Sequence, residues 1–277
     1  MEISIVRFCL GLLLVAVPLY VLHVFETGLL PRALRALARM VASLVVLGVA
    51  LYFVFKLDHW AVNLLFVLLM VALGAVSATS KARLSVRRFF IPVSAGLLAG
   101  VVSVGCWLLV LVLGQKNPLE ARFLVPVVGL LMGAMVKSNA DALTIYYMGL
   151  RHHNQLYYHQ MGNGANPGRA LTWFVRRALQ RVALPSLERM ATLMVGASPV
   201  VTWSMLLSGI PVIEAIAMQL LLLVAGFCAA VVSLVVTLYV ARRFSFDEYG
   251  RLLDFTKAEK EIDSPLQPPP VGEANGN

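Results

Sequence analysis

Residues 212–240 read VIEAIAMQLLLLVAGFCAAVVSLVVTLYV, and apart from Glu214 near the start they carry no charge. About 20 apolar residues suffice to cross about 30 Å of hydrocarbon. This run is long enough to span a bilayer and to tilt or protrude besides. The same ruler, moved outward along the chain, finds six more runs near 3–24, 40–56, 60–79, 90–113, 123–147 and 187–208. The predicted fold is therefore all-α, a polytopic transmembrane bundle of about seven spans.

Composition excludes the soluble alternatives. Of the 277 residues, 60% are hydrophobic and 13% charged, against about half and about a quarter in soluble domains. A core built from this chain could not hide so much apolar side chain from water. The formal charge of +9 would suggest an anionic partner in a soluble protein. Here the basic residues lie between apolar runs, where they set orientation in the membrane, and nucleic acid is not expected as a partner. Cys9, Cys106 and Cys228 each sit inside an apolar run with no C-x-x-C spacing, so neither a disulfide framework nor a zinc site is expected.

Loop charge gives the chain a direction. Arg32, Arg35 and Arg39 follow the first run, and Lys81, Arg83, Arg87 and Arg88 follow the third. Arg151, Arg169, Arg176, Arg177 and Arg181 follow the fifth, and Arg242 and Arg243 follow the last. The alternate connections are short and nearly balanced. The positive-inside rule then places the N-terminus outside and the C-terminus in the cytoplasm, which requires an odd number of spans. The first run, with only Arg7 before it and a strong basic cluster after it, is expected to be a retained helix rather than a cleaved signal. One membrane domain covers residues 1–256, with a cytoplasmic segment at 149–185 within it. The polar tail 257–277, with Pro268-Pro269-Pro270, is expected to be disordered.

Two segments are more than simple spans. Arg32, Arg35 and Arg39 share one helical face behind Pro31, either as an amphipathic interfacial helix or as a charged extension of the second span. Residues 150–184 form the one large cytoplasmic connection. Gly162-Asn163-Gly164-Ala165-Asn166-Pro167-Gly168 breaks it into two helices. The second carries Leu171, Phe174, Val175, Ala178 and Val182 on one side and arginines on the others. A connection of that size is expected to be functional.

Polar residues within the runs are candidates for a path through the membrane. Lys137, Ser138, Asn139 and Asp141 fall in the inner part of the fifth run. A Lys or Asp facing lipid at mid-membrane costs about 2.5–3.5 kcal/mol, so these side chains should face protein or water. Lys137 and Asp141 are four apart. They can close into a self-neutralising pair or line a substrate path. Glu188, just after Pro185, is a second path candidate, or a first-turn acid favoured by the helix dipole. His152, His153 and His159 lack both helical alignment and an acidic partner, so no metal site is expected.

Several motifs carry a resemblance. They are Val125-Pro126-Val127-Val128-Gly129 with Gly133, Gly164-Ala165-Asn166-Pro167, Leu184-Pro185-Ser186-Leu187-Glu188, Pro199, Ser208-Gly209-Ile210 and Glu214-Ala215-Ile216. Over residues 26 to 244 the chain resembles the permease family that includes the bacterial Fet-type iron-export permease and plant aluminium-tolerance permeases. The resemblance implies the membrane subunit of an ABC transporter, in the bacterial inner (plasma) membrane, exporting iron or another metal ion as a homodimer. The chain has no G-x-x-x-x-G-K-[ST], so ATP and Mg would sit on a separate ATPase, with no cofactor and no catalytic residue on this chain. Gly164, Ala165, Asn166 and Pro167, with Arg169, Arg176 and Arg177, would couple to that ATPase, and Lys137, Asn139, Asp141 and Glu188 would line the path. Where the family has Leu-Pro-Gly-Met-Met-Thr-Gly, this chain has Ser198-Pro199-Val200-Val201-Thr202-Trp203-Ser204, a departure that bears on the substrate. A membrane enzyme at the inner interface and a non-catalytic scaffold are the alternatives.

Overall fold

The computed structural model describes residues 13–114, 117–194, 198–247 and 252–253. Every regular element in them is helical. A 3-10 turn leads into α1 (Ala16–Val24), followed by α2 (Leu30–Leu57) and α3 (Trp60–Lys81). The α-helix Val86–Gly100 continues through wider π turns at Val101–Gly105 and Trp107–Val112, and the whole run is α4 (Val86–Val112). Then come α5 (Ala121–His152), α6 (Asn154–Gly162), α7 (Pro167–Ala170), α8 (Thr172–Ala191), α9 (Val200–Leu207) and α10 (Val212–Ser245).

Five of these helices, α2, α3, α4, α5 and α10, are long and apolar enough to cross a membrane. The chain is thus a polytopic membrane protein, and its described residues hold fewer full-length spans than the seven apolar runs suggest. The first run, 3–24, lies partly outside the described residues, as does all of the tail 257–277. The sixth run, 187–208, is not one helix. Its first residues end α8 at Ala191, residues 195–197 lie outside the described residues, and α9 supplies only Val200–Leu207. Pro185 is inside α8 rather than at the entry to a new span. The arginines behind Pro31 belong to α2 itself, a single 28-residue helix with Pro31 in its first turn. The charged-extension reading of that stretch is the one found.

Close approach of helices organises the core. Gly96 on α4 lies against the Ser233 carbonyl and the Thr237 hydroxyl of α10. Gly100 meets the Met135 sulfur of α5 and the Ala229 carbonyl of α10 in the same way. Small residues on one helix let the backbone of its neighbour come close, which is how helices associate where lipid offers no hydrophobic drive. The same seam holds a polar link, with Asn139 Nδ2 donating to Ser233 Oγ at 2.8 Å. By contrast only 6% of the apolar window of α2 is buried. At one end of the bundle Asp58, left-handed at φ 33°, accepts from the Ala121 amide at 3.1 Å and holds the α2–α3 turn onto the start of α5.

Antiparallel packing puts the basic clusters together. Tyr147 of α5 and Ser245 of α10 are joined at 2.6 Å, and Phe89 near the start of α4 packs edge-on to Tyr147 at 5.0 Å. The start of α2, the α3–α4 turn and the last turns of α5 and α10 therefore share one end of the bundle. That end carries Arg32, Arg87, Arg151 and Arg242, as the loop charges require.

Candidate transport path and coupling segment

At the basic end the chain leaves α5 through His153 and forms α6. The Ala165 amide donates to the Gln160 carbonyl at 3.1 Å and the Gly164 amide to the Met161 carbonyl at 3.0 Å. These nested bonds are the Schellman stop, and it needs a left-handed residue, here Gly164 at φ +79°. Asn166 is extended and Pro167 opens the next turn, so the expected helix, Gly/Pro turn and second helix are found. Gly164, Ala165, Asn166 and Pro167 lie at the tip, none of them buried, and Arg169, Arg176 and Arg177 are exposed. The Arg177 guanidinium lies 4.6 Å above the Trp173 ring.

The opposite face of the segment is welded to the bundle. Leu171, Phe174, Ala178 and Val182 are all buried, the side expected from their spacing, and Phe174 lies against Gly149 of α5. Tyr157 of α6 stacks at 5.2 Å on Phe246, just past α10. The Tyr158 hydroxyl accepts from the Leu252 amide at 3.3 Å, and the Arg242 guanidinium lies over Gly168. Burial pushes the Tyr157 hydroxyl above its ordinary pKa, Tyr158 adds to the rise and Arg242 opposes it. The three histidines go separate ways. His152 Nδ1 pairs with the Met148 carbonyl, His153 meets Trp173 edge-on, and His159 Nε2 contacts Asn163.

A cavity of about 350 Å³ opens between α5, α8, α9 and α10. Lys137 and Asp141 line it from α5, and Arg181 and Arg189 from α8. Lys137 and Asp141 share a face because four residues turn about 400°, yet no ion pair closes between them. Asn139, two residues from Lys137 and about 200° round the helix, points away and is fully buried in the α5–α10 seam. It belongs to packing rather than to the cavity wall. Glu188 is exposed and also off that wall. Its carbonyl takes the Thr192 hydroxyl at 2.7 Å.

Four polar wall residues were not among the sequence candidates for a path, namely Arg181, Ser186, Arg189 and Gln219. Gln219 accepts from the Thr202 amide at 3.3 Å and also lines a second, apolar cavity of about 510 Å³ with Trp203 and Pro199. Met190 and Leu223 are shared as well, so the two spaces meet at one amide. The signal for Gln219 was a single amide inside an otherwise apolar run.

Comparison with known proteins fits this architecture. YjkA of Bacillus subtilis, described as a UPF0014 membrane protein, is 25% identical over 82% of this chain and 89% of its own length. The probable iron export permease protein FetB of Escherichia coli is 23% identical over 88% of this chain and 93% of its own. Protein ALUMINUM SENSITIVE 3 of Arabidopsis thaliana is 26% identical over 74% of each chain. No solved structure matches. The model of the uncharacterised protein family UPF0014 matches residues 5–246, and the chain belongs to that family.

Proposed function

We propose that this chain is the membrane subunit of an ABC transporter that exports its substrate, iron or another metal ion, using ATP hydrolysed on a separate ATPase. The observation that carries this reading is the coupling segment. An exposed Gly/Pro turn flanked by arginines sits on a buried aromatic base that touches the ends of both α5 and α10. A push on the turn would be felt by two membrane helices at once. The name of the Escherichia coli relative supports a permease and suggests iron. Two copies of the chain, with the thinly packed α2 and α9–α10 faces toward lipid or each other, would form the full path. The basic end would face the cytoplasm of a bacterial inner membrane.

The test is direct. A gene for a Walker A ATPase is expected beside this one, and the chain co-expressed with that ATPase is expected to retain it through purification. Replacing residues 164–168 with a serine and alanine run should abolish transport-coupled ATP hydrolysis while membrane insertion persists. An ATPase that never co-purifies, or coupling that survives the replacement, would sink the reading.

A further inference from the structure

Three cations, Lys137, Arg181 and Arg189, face one concavity that holds a single carboxylate, Asp141. Among the described residues none of the three is ion-paired to a carboxylate. Lys137, Arg181 and Arg189 are all exposed, and like charges gathered around one partly apolar opening repel one another, which leaves a positive field that favours entry of something negative. A bare metal cation would meet the wrong field, because hard cations need a majority of anionic or carbonyl oxygens around them.

We propose that the cavity binds a small organic anion through a phosphate or carboxylate group, held between Lys137, Arg181 and Arg189. As a statement about cargo this deepens the transporter reading and rests on it; as a binding site it stands on the cavity alone. The planar guanidinium forks suit bidentate capture of carboxylate or phosphate oxygens. The remaining wall, with Leu222, Phe227 and Leu130, suits an apolar body on the same molecule. A volume of about 350 Å³ lies at the small end of ligand pockets, about 300–1,000 Å³. Any metal carried here then travels as a negatively charged chelate. Asp141 limits how much negative charge the site accepts.

Calorimetric titration of the purified full chain in a non-ionic detergent, with citrate and with inorganic phosphate, tests the site without any ATPase. Arg181→Gln and Arg189→Gln should each weaken citrate binding about three- to tenfold, and Asp141→Asn should strengthen it by a similar factor. A misfolded variant cannot gain affinity, so the rise in Asp141→Asn guards against trivial loss. Added salt should weaken binding further. Native mass spectrometry with phosphatidylglycerol forms the second arm. Phospholipid retention that falls in both arginine variants, without citrate binding, assigns the phosphate to a lipid headgroup and keeps the anion chemistry. The opposite signs, with Fe2+ binding weakened in Asp141→Asn and strengthened in the arginine variants, would overturn the proposal. So would indifference of every probe to all three substitutions. Failure of the transporter reading would leave these affinities intact, and the two failures are distinguishable.

Discussion

Gly96→Ala is expected to abolish recovery of monodisperse protein, or to lower its stability by about 3 kcal/mol or more. The added Cβ collides with the Thr237 hydroxyl and with the Ser233 carbonyl of α10. A side-chain clash can relax by rotation, but the Ser233 oxygen belongs to the helical backbone of α10 at a residue that is itself buried. Relief then requires α4 and α10 to move apart. That separation strips contacts from Val93, Leu97, Ala229 and Ala230, all in the core, and overpacking alone costs about 1–3 kcal/mol. Thr237→Ala placed on top of Gly96→Ala should recover only part of the loss. Gly48→Ala on α2, where a Cβ meets nothing within 4 Å, should leave the protein unchanged or slightly stabilised. The measurement is the unfolding midpoint in detergent by scanning fluorimetry, with size exclusion alongside. Equal midpoints for the two alanine variants would refute the close-packed seam.

Tyr157→Ala is expected to uncouple the coupling segment from the bundle while leaving the bundle folded. Tyr157 is 2% exposed and its ring lies on Phe246 at the end of α10. An aromatic pair contributes about 0.5–1.5 kcal/mol beyond its buried area. Truncation also empties the space under α6, so the docked arrangement should lose at least about tenfold in population. Substrate-stimulated ATP hydrolysis of the reconstituted complex should fall by a similar factor, with the ATPase still bound. Tyr157→Phe keeps the ring and should keep most of the coupling. Loss of ATPase binding in Tyr157→Ala, with stimulation per bound ATPase unchanged, would show that the aromatic base only shapes the docking face.

Apolar length and charge made most of this fold legible. The runs at 60–79 and 212–240 became α3 and α10 almost at their expected limits, because uninterrupted hydropathy there has no competing meaning. The run at 40–56 began too late. Arg32, Arg35 and Arg39 lower hydropathy, yet they do not interrupt the backbone ladder, and α2 continues through them. The sixth run failed for the converse reason. A window average over 187–208 cannot see that α8 stops at Ala191, and Pro199 stands immediately before the start of α9. In the cavity, the spacing of Lys137 and Asp141 was informative because neighbours on one helix obey a fixed angle. The same angle excludes Asn139 from their face. Arg181 and Arg189 were out of reach, since they meet Lys137 only through the packing of α8 on α5, forty and more residues along the chain.

The end of α8 at Ala191 and the short length of α9 also bear on how the chain is assembled. Eight residues of α9 rise about 12 Å, well short of the hydrocarbon thickness, and the preceding helix brings Arg181 and Arg189 toward the bilayer at about 2.5–3.5 kcal/mol each if they met lipid. Neither half can hold a membrane position by its own partitioning. Both are seated against α10, through Thr202 on Gln219 and through the cavity wall, and α10 is synthesised after both. The ribosome must therefore deliver α10 before the segment ahead of it can settle. The cavity closes backward along the sequence, and it comes into existence only once α10 is in place.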